Sequence, residues 1–236
     1  MRQIFLDTET TGFNANHPHN PDRMVEIGCV EMVNRKLTGN NLHFYLNPGR
    51  DSDEGALRVH GLTTEFLRDK PRFEEIAEQL TDYVADAEII IHNAPFDLSF
   101  LDMELGRTGR PVFKDYAASI VDTLVMAKEM FPGKRNSLDA LCSRLDVDNS
   151  GRTLHGALLD AELLADVYIN MTRGQDALLM DTAAVEEKGF VVESVDLSGI
   201  VLTVVSANAQ ELQAHEEVVV QLDKSSGGKS FWRNVA

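Results

Sequence analysis

The sequence predicts an α/β fold built on a mixed sheet, and three observations carry that expectation. Short apolar runs at residues 3–9, 24–33 and 41–47 follow one another across brief turn signals, the pattern of an antiparallel meander. From residue 73 the apolar period lengthens to that of a helix. Beyond residue 70, strand-like and helical segments alternate, as in sheets covered by helices.

Each element has its own reason. Residues 3–9 are apolar, end in acids and are broken by Thr10-Thr11-Gly12. Residues 24–33 read as a second strand with Val25, Ile27, Cys29 and Glu31 on one face. Residues 41–47 read as a third, closed by Pro48-Gly49. Phe73, Ile76, Ala77, Leu80, Tyr83 and Val84 recur at helical spacing. Residues 88–92 form a short strand with a wholly apolar centre, as in a sheet buried on both faces. Pro95 starts a helix over 96–105, which Gly106 and Gly109 end. Ile120-Val121-Asp122 adds a strand, and helices follow at 137–145 and 156–171.

Of the 236 residues 43% are hydrophobic and 25% charged, which excludes a mostly disordered chain. Cys29 and Cys142 lie in apolar runs; two cysteines build no disulfide framework and read as buried thiols of a reducing compartment. No apolar run approaches the ~20 residues of a membrane span, and the N-terminus lacks a signal peptide's apolar stretch, so the expected compartment is the cytoplasm. A formal net charge of −16 argues against capture of nucleic acid by a basic surface. It leaves room for an enzyme that meets phosphate through metal ions or is delivered to DNA by a partner. The main domain is expected over residues 1–174 and a linker over 175–187. Residues 188–236 form a tail with β-branched runs at 190–205, a candidate amphipathic helix at 208–222, and Phe231-Trp232 near its end. Such a tail is too small to be expected to fold without a partner.

Asp7 and Glu9 stand two apart, so both project from one face at a strand end. Sites collect at strand ends in α/β sheets, and two like charges buried there need a compensating cation. Asp97 falls in the first turn of a helix, where an acid also complements the dipole. Asp160 lies beside the apolar stripe of helix 156–171. His155 is about 140° around an ideal helix from it, so it must sit where the helix begins and Gly156 lets the chain bend. Taken singly, a solvated strand end, a dipole-complementing acid and a surface histidine explain these groups. Together they are a set of hard oxygen donors suited to Mg²⁺ or Mn²⁺ rather than zinc. Two such ions roughly 4 Å apart clamp the attacking and leaving oxygens of a phosphodiester. A histidine of pKa near ~6.5 accepts the water's proton. The residues point to metal-assisted phosphodiester hydrolysis.

Asp7-Thr8-Glu9-Thr10-Thr11-Gly12, His92-Asn93-Ala94-Pro95-Phe96-Asp97 and His155-Gly156-Ala157-Leu158-Leu159-Asp160 resemble the three motifs of the DEDDh 3′→5′ exonucleases. Residues 33–41, Val59-His60-Gly61-Leu62 and the tail extend the resemblance to the proofreading epsilon subunits of bacterial DNA polymerase III. The resemblance implies a ribonuclease H-like fold and two divalent cations held by Asp7, Glu9, Asp97 and Asp160, with His155 as general base. It implies that Thr10 and His60 touch the terminal nucleotide and that Phe13 wedges against the terminal bases. His92 and Asn93 are read as packing or supporting groups. The loop at 51–56 departs from the family: Glu54 comes one place early. His17-Pro18-His19 reads as a proline-rich surface loop.

The partners implied are a single-stranded or frayed DNA 3′ end and the alpha (polymerase) subunit through residues 188–236 and Phe231-Trp232, with a small third core subunit on residues 1–174 an open alternative. Gln175, Leu178 and Met180 resemble the weak sliding-clamp motif, a glutamine followed by apolar anchors that suits an extended peptide in an apolar pocket. A related RNA-trimming enzyme and a non-catalytic scaffold are the competing readings.

Overall fold

The computed structural model describes residues 1–151, 154–173 and 207–226. The chain divides into two compact units, Met1–Val185 and Glu186–Ala236.

Among the described residues the first unit carries six strands: β1 (Arg2–Thr10), β2 (Met24–Val33), β3 (Lys36–Leu37), β4 (Leu42–Tyr45), β5 (Glu88–Ile91) and β6 (Ser119–Asp122). Its helices are α1 (Glu54–His60), α2 (Thr64–Leu67), α3 (Phe73–Val84), α4 (Ala94–Arg107), α5 (Thr123–Met130), α6 (Leu138–Arg144) and α7 (Ala157–Thr172). The sheet order is β3-β2-β1-β5-β6, with β4 also on β2. β1 pairs antiparallel with β2 from Arg2 opposite Val33 to Thr10 opposite Met24, and parallel with β5. β6 continues parallel beside β5, while β3 and β4 are antiparallel to β2. This is the expected sequence of antiparallel strands followed by parallel ones.

Alternation along the strands builds two cores. Ile4, Leu6, Ile27, Cys29, Ile89 and Ile91 face α3 and α4, where Phe73, Leu80 and Phe100 are buried. Phe5, Val30, Met32 and Ile90 face α7 and meet Ala161, Leu164 and Ala165. Helices on both faces explain why residues 89–91 are apolar without alternation. Behind α7, Leu163, Val167 and Met171 pack on Ala127 of α5 and on Leu141 and Cys142 of α6. Both cysteines are buried, and burial pushes the Cys29 thiol far above its ordinary pKa.

Four short elements were not legible as periodicity. β3 follows a two-residue turn in which Asn34 and Arg35 both take positive φ, a tight hairpin without the usual glycine. α1, α2 and α5 have four to eight residues each, too few turns to display an apolar stripe. α4 begins at Ala94 and runs through Gly106, so only Gly109, at φ 71°, falls in the turn beyond it.

One glycine positions the site. A Cβ on Gly28 would overlap the backbone of Ala157 and Leu158, so only glycine lets the first turn of α7 rest on β2. In the second unit, α8 (Ala209–Ser226) covers the expected helix. Asn208 caps it, its Oδ1 accepting from the Gln210 and Glu211 N–H groups, while Glu211 accepts in return from the Asn208 N–H. Residues 190–205, the linker and Phe231-Trp232 lie outside the described residues. No helix among those described is long and apolar enough to cross a membrane.

Candidate active site

The alternation of β1 sorts its polar end into two sides. Asp7 and Glu9 point with Phe5 toward α7, and Thr8 points with Ile4 and Leu6 toward α4. The Thr8 hydroxyl donates to Asp97 Oδ1 at 2.7 Å. Asp97 is 3% exposed, and burial pushes its pKa up to about 7; the Thr8 bond works against that shift, and the charge of Asp122 adds to it. Asp97 is held in place by the turn that precedes it. Asn93 adopts a left-handed conformation, its N–H donates to Asp122 Oδ1 at 3.0 Å, and His92 Nδ1 meets Thr123 Oγ1 at 2.9 Å. His92 and Asn93 thus tie the end of β5 to the end of β6.

At the start of α7, His155 precedes the N-cap Gly156 and Asp160 lies in the first turn, almost wholly buried. His155 Nδ1 stands 3.3 Å from Asp160 Oδ2. Donor atoms of Glu9, His155 and Asp160 lie within 4.8 Å of one another. The two carboxylates at that spacing fit a divalent cation of oxygen-donor preference, with the imidazole beside them. Asp7 lies outside this trio but on the same strand face. Asp97 approaches from the other side through Thr8. The His155 N–H donates to the Val59 carbonyl at 3.0 Å, which joins the start of α7 to the end of α1.

The turn after β1 is pinned from behind. Thr10 Oγ1 donates to the Gly12 carbonyl at 2.6 Å, and Thr11 Oγ1 donates to Asp22 Oδ1 at 3.0 Å. A Cβ on Gly12 would press on the Asp22 carboxylate, which also pairs with Arg50 at 3.2 Å. Thr10, Phe13, Val59, His60 and Phe96 line a pocket that opens onto Glu9. His60 is buried at the C-terminal end of α1. Its Nδ1 accepts from the Leu62 N–H at 2.9 Å, which leaves the proton on Nε2, and burial lowers its pKa. Phe13 is 80% exposed with its ring 6.3 Å from that of Phe96.

Glu9, His155 and Asp160 therefore converge, Asp7 and Asp97 flank them, and Thr10, Phe13 and His60 share one pocket. Gln175, Leu178, Met180, Phe231 and Trp232 lie outside the described residues. Glu54 is in the first turn of α1 and exposed. His17 and His19 are exposed, and His17 Nδ1 accepts the Asn20 N–H at 3.0 Å within its own loop. Sequence reasoning missed Thr8, Asp22 and Val59. Thr8 had a signal, since the residue between two same-face acids must serve the opposite face. Asp22 and Val59 act through contacts of the folded chain and had none.

A family model described as an exonuclease matches residues 4–168. The chain is 50% identical over 240 residues to the DNA polymerase III subunit epsilon of Pasteurella multocida, covering 98% of this chain and 93% of that one. It is 48% identical over 237 residues to the subunit of the same name from Escherichia coli, covering 98% and 97%. Among solved structures, the nuclease domain of 3′hExo, a DEDDh family member bound to rAMP, aligns with TM-score 0.62 at 15% identity, over 74% of this chain and 92% of that one. Exonuclease X in complex with 5′ overhanging duplex DNA aligns with TM-score 0.56 at 24% identity, over 74% and 93%. These two share the fold, a ribonuclease H-like mixed sheet flanked by helices. By the exonuclease match across most of its length and the near-half identity over almost all of it, the chain belongs to the DNA polymerase III subunit epsilon family of exonucleases.

Proposed function

We propose that the chain is the proofreading 3′→5′ exonuclease subunit of a replicative DNA polymerase III. It hydrolyses the last phosphodiester of a single-stranded or frayed DNA 3′ end and releases a nucleoside 5′-monophosphate. The observation that carries this reading is the convergence of Glu9, His155 and Asp160 at the end of β1, beside the pocket of Thr10, His60 and Phe13. Asp7, Glu9, Asp97 and Asp160 would hold two divalent cations, Mg²⁺ or Mn²⁺. Bound there, the ions supply positive charge to the attacking and leaving oxygens. His155 keeps Nδ1 toward Asp160, so Nε2 takes the proton of the attacking water. Its backbone bond to Val59 holds that imidazole against the wall of the nucleotide pocket. Phe13 offers an apolar ring to the terminal bases. Mispaired ends unstack at lower cost, so a site for unpaired nucleotides selects errors.

A labelled single-stranded DNA oligomer with Mg²⁺ or Mn²⁺, run beside its RNA copy, tests the reading. DNA is expected to shorten stepwise from its 3′ end, faster than RNA, and to stop with chelator. Preferential RNA shortening would favour the RNA-trimming alternative, and no hydrolysis of either would leave only a scaffold.

The organisation we infer is a nuclease domain over 1–174, a linker with clamp contacts at Gln175, Leu178 and Met180 over 175–187, and a polymerase-binding segment over 188–236 that includes Phe231 and Trp232. The likeness to polymerase III subunits covers the tail as well as the nuclease, and α8 exposes Leu212, Val218 and Leu222, which supports a partner for it. A chain ending at Gly174 is expected to lose co-elution with the polymerase subunit. Gln175→Ala with Leu178→Ala is expected to weaken sliding-clamp binding in calorimetry. Co-elution also tests a small third core subunit on residues 1–174. Such a protein works at the replisome, in the bacterial cytoplasm.

A further inference from the structure

We propose that Glu26, held by His43, is a positioning residue of the cation site, supplying from β2 the negative charge that the N-cap Gly156 has no side chain to provide. The inference rests on the two-cation reading of the site. Glu26 stands directly opposite Glu9 in the β1–β2 ladder, so both project toward α7. It is 3% exposed, and its Oε1 lies 2.7 Å from His43 Nε2 on β4. It lies outside the trio of converging donors, so its effect on a cation travels through the field and not through a bond.

The need for that charge comes from helix geometry. The first N–H groups of α7 and its aligned peptide dipoles make the start of the helix partly positive. Such an end welcomes anions and opposes cations by the same measure. Asp160 and His155 nevertheless sit at that end, and the N-cap Gly156 has no side chain to offset it. The Glu26 carboxylate does so from across the sheet. A Cβ built on Gly156 would lie 3.9 Å from both of its oxygens, so the charge stands close to where a capping aspartate would place its own. The same charge reaches His60, where it opposes the lowering of pKa by burial. Packing alone gives no reason for an acid at this position, because an apolar side chain of similar volume would be buried at lower cost.

The test is Mn²⁺ binding to the full-length chain by calorimetry without DNA, together with oligomer hydrolysis. Glu26→Gln keeps the shape and the bond to His43 but removes the charge. It should bind Mn²⁺ on the order of tenfold more weakly. Its kcat should fall at limiting Mn²⁺ and recover in excess, with KM for the oligomer unchanged. Adding Gly156→Asp to Glu26→Gln returns a carboxylate to the helix start and should restore most of the Mn²⁺ affinity. Should Glu26→Gln not fold, Gly156→Asp in the otherwise unchanged chain reads the same field. Tighter Mn²⁺ binding there supports the proposal, and unchanged or weaker binding overturns it. Wild-type Mn²⁺ affinity in Glu26→Gln, with or without a lower melting temperature, makes Glu26 a packing residue and overturns the proposal. A wild-type chain that neither binds Mn²⁺ nor hydrolyses DNA fails at the two-cation reading instead.

Discussion

On the α7 side of β1, Glu9 and Asp160 share their space with His155, whose ring is 44% exposed. On the α4 side, 3% exposed, Asp97 has a threonine hydroxyl as its side-chain partner, and burial raises its pKa to about 7. Both sides gather acids at one strand end, yet they meet the cost of charge differently. The α7 side sets its acids, Asp160 as buried as Asp97, beside an imidazole that reaches solvent. The α4 side carries the cost as burial, which a cation would relieve. The contrast teaches that the motif acids are not equivalent, although each is a carboxylate at an element end.

The largest expected effect tests the α7 side. Asp160→Ala should remove measurable hydrolysis of a DNA oligomer while the melting transition survives, because the carboxylate is taken from the converging trio. Activity retained in a folded Asp160→Ala chain would break the comparison at its centre. His155→Ala should lose about 10²–10⁴-fold in rate, the range of a general base, with Mn²⁺ binding little changed. An unchanged rate and pH profile would reduce His155 to a residue that merely begins α7.

The α4 side predicts smaller effects. Thr8→Val deletes the hydroxyl that favours the ionised form of Asp97. It should raise the Mn²⁺ concentration needed for half-maximal rate by roughly tenfold, the loss of one hydrogen bond to a charged group. Wild-type metal dependence in Thr8→Val would show that the bond only orients. The last effect is on stability alone. Folded Asp97 titrates near 7 and unfolded aspartate near ~3.9, so between these values the folded chain keeps a proton that the unfolded chain has lost. Its contribution to stability therefore falls as pH rises through that window. In chelator, Asp97→Asn and wild type should melt alike near pH 4, and the variant should melt higher above pH 7. Mn²⁺ should reverse that order by stabilising wild type alone. A difference independent of pH would sink the account of Asp97 as an acid strained by burial.

Much of this protein follows from residue spacing. Period-two alternation makes Asp7 and Glu9 neighbours and puts Thr8 on the other face, because successive side chains in a strand must point apart. The apolar centre at 89–91 demands helices on both sheet faces, and the helical stripe at 73–84 supplies one of them. His155 had to precede its helix, since no ideal helix brings residues five apart onto one face. Other features required the folded chain. Which strands pair, and in what register, sets Glu26 opposite Glu9 and Gly28 under Ala157, contacts between residues far apart in sequence. Short elements such as α1 carry too few residues to show a period, yet α1 brings His60 and Val59 to the site. The raised pKa of Asp97 belongs to its burial and not to its motif. Spacing governs neighbours along the chain, whereas dehydration and electric field depend on everything packed around a group, and only the tertiary structure determines that.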